Sequence, residues 1–157
     1  MVANMEKTPD DKITEIIIGC AYTVHNELGP GFLEKVYENA LRKEIVKKGL
    51  KVVQQADIKV WYDGEVVGVY SADLWVEDRI IVELKAAQSL IRDNEMQLVH
   101  YLTATKVETG LLLNFGSSSV QVKRKYRTYK PPSNAQPDPD NPAKNHVNPV
   151  LETLEEQ

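Results

Sequence analysis

Cysteine is nearly absent from this chain of 157 residues: Cys20 stands alone, so no internal disulfide can form and no thiolate cluster can hold a metal. Long hydrophobic runs are missing too. Nothing approaches the roughly 20 apolar residues that span a bilayer, and the first residues lack the basic-then-apolar order of a signal peptide, so a cytoplasmic protein without membrane association is expected. Proline is scarce before residue 131, where only Pro9 and Pro30 occur, and six of the eight prolines follow it. An excess of basic charge is also lacking, since the formal net charge is −4. That value arises in residues 131–157, which carry five acids against Lys144, while residues 1–130 hold 18 of each sign. The overall acidity therefore does not exclude a nucleic-acid partner, because the remainder can still present a basic face.

Hydrophobic residues make up 42% and charged residues 27%, the balance of a globular protein with a core of ordinary size. The composition divides the chain into an N-terminal extension (1–9), one domain (10–130) and a flexible acidic Pro-rich tail (131–157). Within the tail, residues 150–154 either form a short helix on a partner or remain unstructured.

Ile13, Ile16, Ile17, Cys20, Ala21, Val24 and Leu28 recur at three- and four-residue spacing, which predicts a helix over 10–28, capped near Thr8 or Asp10 and stopped by Gly29. A second helix follows Gly29-Pro30-Gly31, with Leu33, Val36, Tyr37, Ala40, Leu41 and Ile45 as its core face. From Val52 the period falls to two. A strand through Val53, Ile58, Val60 and Tyr62, a hairpin turn at Asp63-Gly64, a return strand to Trp75, and a turn at Glu77-Asp78-Arg79 into residues 80–85 make a three-stranded meander. A third helix over 93–104, with Met96, Val99 and Leu102 apolar, precedes strands at 110–115 and 120–126. The expected fold is α/β, with a mixed β-sheet flanked by helices. Cys20 is expected in the core, and His25 and His100 in structural or surface positions.

Arg79-Ile80-Ile81-Val82-Glu83-Leu84-Lys85-Ala86 is the informative stretch. Its apolar run should be a buried strand, yet alternation points Glu83 and Lys85 to one face, and Asp73 lies ten residues upstream on the preceding strand. Asp73 and Glu83 on adjacent strands can hold a hard divalent cation, Mg²⁺ or Mn²⁺, with the backbone carbonyl of Leu84 as a third ligand. Lys85 beside it would help position and deprotonate a water, an arrangement suited to phosphodiester hydrolysis. A structural salt bridge is the competing explanation. Asn94, Gln97 and Tyr101 form a polar stripe on the third helix, aimed either at the strand end or at solvent. Lys123, Arg124, Lys125 and Arg127, interleaved with Tyr126 and Tyr129, either track a phosphate backbone or protect an edge strand.

Gly31-Phe32-Leu33-Glu34-Lys35-Val36-Tyr37 resembles the Gly-x-x-Glu-x-x-Tyr signature of the GxxExxY proteins, a group within the PD-(D/E)XK nuclease-like superfamily. The likeness continues through Tyr62-x-Gly64, Asp73-Leu74, Val82-Glu83-Leu84-Lys85-Ala86, Gln97-x-x-x-Tyr101-Leu102 and the run from Gly110 to Gly116. It covers roughly residues 10 to 127. The resemblance implies a restriction-endonuclease-like core, Asp73 and Glu83 as metal ligands, and Lys85 as catalytic lysine. It also implies Glu34 as a further acid reaching the metal directly or through water, and Gln97 and Tyr101 as a pair that supports the site and contacts nucleic acid. One position departs: where the pattern often carries His three residues before the Gln, this chain has Asn94, which can donate a hydrogen bond but carries no proton. The implied function is a metal-dependent nuclease acting on DNA or RNA; the alternative is a catalytically silent nucleic-acid- or protein-binding module. The oligomeric state, a homo-oligomer included, is left open.

Overall fold

The computed structural model describes residues 6–127. The expected tail and the last residues of the basic segment, Thr128 to Lys130, lie outside them, as do residues 1–5.

Helix α1 (Pro9–Leu28) starts at a reciprocal cap: Thr8 Oγ1 accepts the Asp11 N–H at 3.2 Å, and Asp11 Oδ2 accepts the Thr8 N–H at 3.1 Å. Gly29 (φ +67°) and Gly31 (φ +110°) then turn the chain through a conformation that a side chain would strain. The corner is held from within, because the Tyr37 hydroxyl donates to Gly29 O at 2.6 Å and accepts the Phe32 N–H at 3.1 Å. Helix α2 (Glu34–Lys47) follows. Its buried positions are Tyr37, Glu38, Leu41 and Ile45, so two expectations need correction. Leu33 is the extended residue before the first turn and is exposed, and Val36 is exposed because it sits one position off the Tyr37, Leu41, Ile45 stripe. Ile16 of α1 is exposed for the same reason, the stripe running through Ile17, Cys20, Ala21 and Val24. Cys20 is core, as expected.

Strands β1 (Val52–Tyr62), β2 (Glu65–Val76) and β3 (Ile80–Lys85) form the antiparallel meander. Both of its turns use left-handed residue pairs: Asp63 and Gly64 in the first, Glu77 and Asp78 in the second. Helix α3 (Arg92–Thr105) crosses from β3 to β4 (Thr109–Asn114), which pairs parallel to β3, and β5 (Gln121–Tyr126) closes the far edge. The order is β1-β2-β3-β4-β5. Parallel pairing demands such a crossover, and β3 and β4, buried along nearly their whole length, are covered on both faces.

One core lies between the sheet and α1/α2, built on Ile17, Val24, Tyr37, Leu41, Val82, Leu84 and Phe115. The second, beneath α3, contains Ile58, Ile81, Leu98, Tyr101, Leu102 and Leu112. On α3 the buried stripe is Leu98, Tyr101 and Leu102. Met96, expected there, is exposed, since it falls on the opposite side of the turn from Leu98. His25 is structural, its Nε2 2.9 Å from Ser117 O and its ring stacked on Phe115, and His100 is exposed.

Candidate active site

The ladder between β2 and β3 is short. It joins Leu74, Trp75 and Val76 to Val82, Ile81 and Ile80, and beyond it β2 continues as a hairpin with β1 while residues 83–85 of β3 pair only with β4. A gap therefore opens at the end of β3, and Asp73 and Glu83 face each other across it. Side-chain alternation slips at the same place. Ala56, Ala72 and Trp75 pack beneath α3, whereas Val52, Leu74 and Val76 pack beneath α1 and α2, which requires a change of phase around Gln55 and Asp73. Gln55 adopts φ +51°, the left-handed conformation that accompanies this slip.

The slip frees backbone donors that the acids then satisfy. Asp73 N–H donates to Glu83 Oε1 at 3.1 Å, and Leu84 N–H donates to Asp73 Oδ2 at 2.8 Å. Asp73 Oδ1 accepts from Gln55 Nε2 at 3.3 Å, and that nitrogen also reaches Glu38 Oε1 at 2.9 Å. Glu38 Oε1 takes two more donors, Gln54 Nε2 at 2.7 Å and Lys35 Nζ at 2.9 Å. Glu38 thus anchors, through Gln55, one edge of Asp73.

Burial shapes the electrostatics. Glu83, 4% exposed, is pushed up to about 8 by loss of solvation and then by the Asp73 charge, against the pull of the Asp73 N–H and of Lys85. Burial also raises Asp73, which the Leu84 N–H lowers and the Glu38 charge raises further. Glu34, at the start of α2, is raised by burial, drawn down by Lys85 and pushed up by Asp73 and Glu38. Glu38, 3% exposed, behaves in the opposite way: burial raises it, but its hydrogen bonds from Gln55, Lys35 and Gln54 outweigh burial and hold it below the ordinary carboxylate range. The Lys85 ammonium acts on Glu34, Asp73 and Glu83 alike, so the three acids and the lysine share one electrostatic neighbourhood.

The donor set suits a hard divalent cation: oxygen ligands only, with carboxyls raised by burial and mutual repulsion that such an ion would relieve. As placed, no three acidic, imidazole or thiol side chains among the described residues stand close enough to hold a metal ion. Ligation by Glu34 beside Asp73 and Glu83 requires a side-chain adjustment.

The end of β3 is secured from β4. Asn114, fully buried, accepts the Ala87 N–H at 3.0 Å and donates to Ala87 O at 2.8 Å, while the Phe115 N–H donates to Lys85 O at 2.8 Å. Gly116 passes so close that a Cβ there would collide with the Ala87 backbone.

The structure also distributes the other sequence candidates. Gln97 is exposed, and its amide donates to the Tyr101 hydroxyl at 3.1 Å. Tyr101 is 7% exposed and raised by burial and by the Glu83 and Asp73 charges, which sets it beside the acids. Asn94 Oδ1 accepts the Ile91 N–H at 3.1 Å, a cap at the start of α3. The basic strand lies on the sheet edge, two strands from β3, with its side chains divided between two faces. Arg124 pairs with Asp11 (3.5 Å) and donates to Thr14 Oγ1 (2.8 Å), Lys125 pairs with Glu95 (3.0 Å), and Arg127 pairs with Glu108 (3.5 Å). Lys123 is exposed. These pairs match edge protection better than a free phosphate track.

Sequence reasoning missed Glu38, Gln55 and Asn114. Glu38 did carry a signal, an acid adjoining the apolar stripe Tyr37, Leu41, Ile45. Gln55 carried none, because its left-handed backbone is imposed by the sheet.

A family model described as the PD-(D/E)XK nuclease superfamily matches residues 11–125. No curated protein matches the chain. Among solved structures, one titled "Crystal structure of SSO0001" is similar at 16% identity with a TM-score of 0.38, over 73% of this chain and 65% of that one. The match thus spans somewhat less than two thirds of that protein.

Proposed function

From the chain's membership of the PD-(D/E)XK nuclease superfamily, whose model matches well over half its length, we propose that it hydrolyses phosphodiester bonds of DNA or RNA with the help of Mg²⁺ or Mn²⁺. The observation that carries this reading is the pair of half-buried Asp73 and buried Glu83 at the splayed end of β3, with Lys85 two residues on.

Asp73, Glu83 and the Leu84 carbonyl would hold the cation, with Glu34 joining directly or through water. When bound, such an ion neutralises charge on a phosphoryl oxygen and acidifies water. Lys85 orients the attacking water and offsets negative charge that develops on the phosphate. Glu38 acts through Gln55, keeping the Asp73 carboxylate turned toward Glu83. Gln97 orients the Tyr101 hydroxyl next to the acids. Lys123, Arg124, Lys125, Arg127 and Asn94 have a lesser share in nucleic-acid binding on this reading, since most of them already have partners within the fold.

A second reading, a domain that binds nucleic acid or protein without cutting, draws support from Asp73 Oδ2 being spent on the Leu84 N–H. Labelled single- and double-stranded DNA and RNA, incubated with Mn²⁺, Mg²⁺ or chelator, separates the two. Cleavage that needs the cation and is lost in Glu83→Ala and Lys85→Ala, by at least about 10²-fold, supports the nuclease. Retained binding without cutting supports the silent module.

A further inference from the structure

Tyr70 of β2 lies next to the proposed site and takes no part in it so far. Its ring rests on that of Tyr101, with centroids 5.7 Å apart and planes tilted by 43°. The two differ in exposure: Tyr101 is buried, whereas Tyr70 is 54% exposed. Tyr101 was the aromatic expected to meet nucleic acid, but the fold places it underneath. The exposed ring surface of this pair therefore belongs to Tyr70, one ring out from the Tyr101 that feels the Glu83 and Asp73 charges.

Three local features keep that ring in place and open. Tyr101, behind it, is fixed by Gln97. Ile58, its cross-strand partner, is fully buried and anchors the base of the hairpin. Two places along β2 on the same face is Gly68, where a Cβ would come within 3.7 Å of Tyr70 Cε2, so the missing side chain leaves that flank of the ring uncovered. An exposed aromatic face continuing a tilted ring pair, beside acids suited to phosphodiester cleavage, matches a nucleobase as occupant. Each base has a π-face for the ring, and its phosphate would then lie toward the acids.

We infer that Tyr70 is a stacking platform for an unpaired base flanking the scissile phosphodiester, and hence that the preferred substrate is single-stranded nucleic acid or a frayed end rather than continuous duplex. A base inside a duplex is already sandwiched by its neighbours and cannot reach such a ring without leaving the stack. The inference rests on the nuclease reading and names its substrate class.

Fluorescence anisotropy in chelator, with labelled oligothymidylate and a blunt duplex of equal length, tests it without relying on cleavage. Wild type should bind the oligothymidylate more tightly than the duplex. Tyr70→Leu should weaken oligothymidylate binding about 5- to 100-fold, the scale of one lost base stack, and leave duplex binding unchanged. Tyr70→Phe, which keeps the ring, should stay within about twofold of wild type. Tyr62, more exposed still and near the tip of the same hairpin, is the control: Tyr62→Leu should have little effect. No loss in Tyr70→Leu, or an equal loss in Tyr62→Leu, overturns the platform. So does a change of oligomeric state in Tyr70→Leu with binding intact, which would make the ring a contact between copies of the chain. Tyr70-dependent binding without cation-dependent cutting would sink the nuclease reading and spare the platform. Glu83-dependent cutting of duplex, indifferent to Tyr70, would do the reverse.

Discussion

Asp73 and Glu83 are tied to each other through the backbone: the Asp73 N–H donates to Glu83 Oε1 at 3.1 Å, while the Asp73 carboxylate accepts the N–H of Leu84, the next residue along from Glu83. Each acid is thus oriented by the strand that carries the other. This arrangement depends on the gap between β2 and β3, because in a continued ladder those N–H groups would face carbonyls.

The first consequence is an unusual pH dependence in chelator. Glu83 titrates near its ordinary value when unfolded and at about 8 when folded, so between these limits the folded state holds a proton that the unfolded state has lost. Stability from this group is then intact below about pH 4.5, falls as pH rises, and is lowest above about pH 8. Asp73 and Glu34, also raised, act in the same direction. Glu83→Gln should flatten the decline and raise the melting temperature at pH 9 by several degrees, with little change at pH 5. Parallel melting profiles for mutant and wild type would show that Glu83 ionises freely.

Adding a cation should reverse that cost. For an assumed Kd of about 1 mM, roughly 10 mM Mn²⁺ stabilises the fold by about 1.4 kcal/mol, a rise of roughly 3 to 6 °C. Glu83→Gln should abolish the rise. A metal response of equal size in both proteins would exclude Glu83 as a ligand and favour a structural role for the charged strand end.

Gln55 offers a way to separate positioning from folding. Gln55→Gly removes the amide that links Glu38 to Asp73, while glycine accepts φ +51° without strain. The relief, roughly 1 kcal/mol, is of the same order as the added chain entropy of glycine. The melting temperature should therefore drop only by the few degrees that the lost amide hydrogen bonds contribute, while cleavage and the Mn²⁺ response, read where the variant is fully folded, fall further. Glu38→Ala should lower both, and stability as well, because it leaves three donors without their acceptor. Unchanged cleavage in Gln55→Gly would show that Asp73 needs no such support.

Gly116→Ala tests the anchoring of Lys85 from β4. The new methyl must displace the Ala87 backbone, at a cost of roughly 1–3 kcal/mol. Since Ala87 follows Lys85 by two residues, activity should fall further than the melting temperature explains. The comparison to make is cleavage rate at a temperature where the variant remains fully folded by circular dichroism.

The local pattern in the chain determined the elements themselves. Three amphipathic helices, five strands, the two turns of the meander and the β3 span from Ile80 to Lys85 all follow from period, turn chemistry and capping, which act over a few residues. Asp73, Glu83 and Lys85 were legible for a related reason: charges on an otherwise apolar strand contradict its pattern, and the contradiction is visible without a fold. The tertiary structure decided what depends on partners distant in sequence. Glu38 and Gln55 matter only because α2 and β1 converge on Asp73, and the left-handed backbone at Gln55 arises from a slip in the sheet. The buried face of α2 excluded Leu33 and Val36 because the packing of Tyr37 on Phe115 sets the helix phase. Tyr101 and Tyr70, 31 residues apart, divided between them the inner and outer places of one ring pair. Which residue of such a pair meets solvent is a property of burial, and burial is settled only when the helix comes down on the sheet.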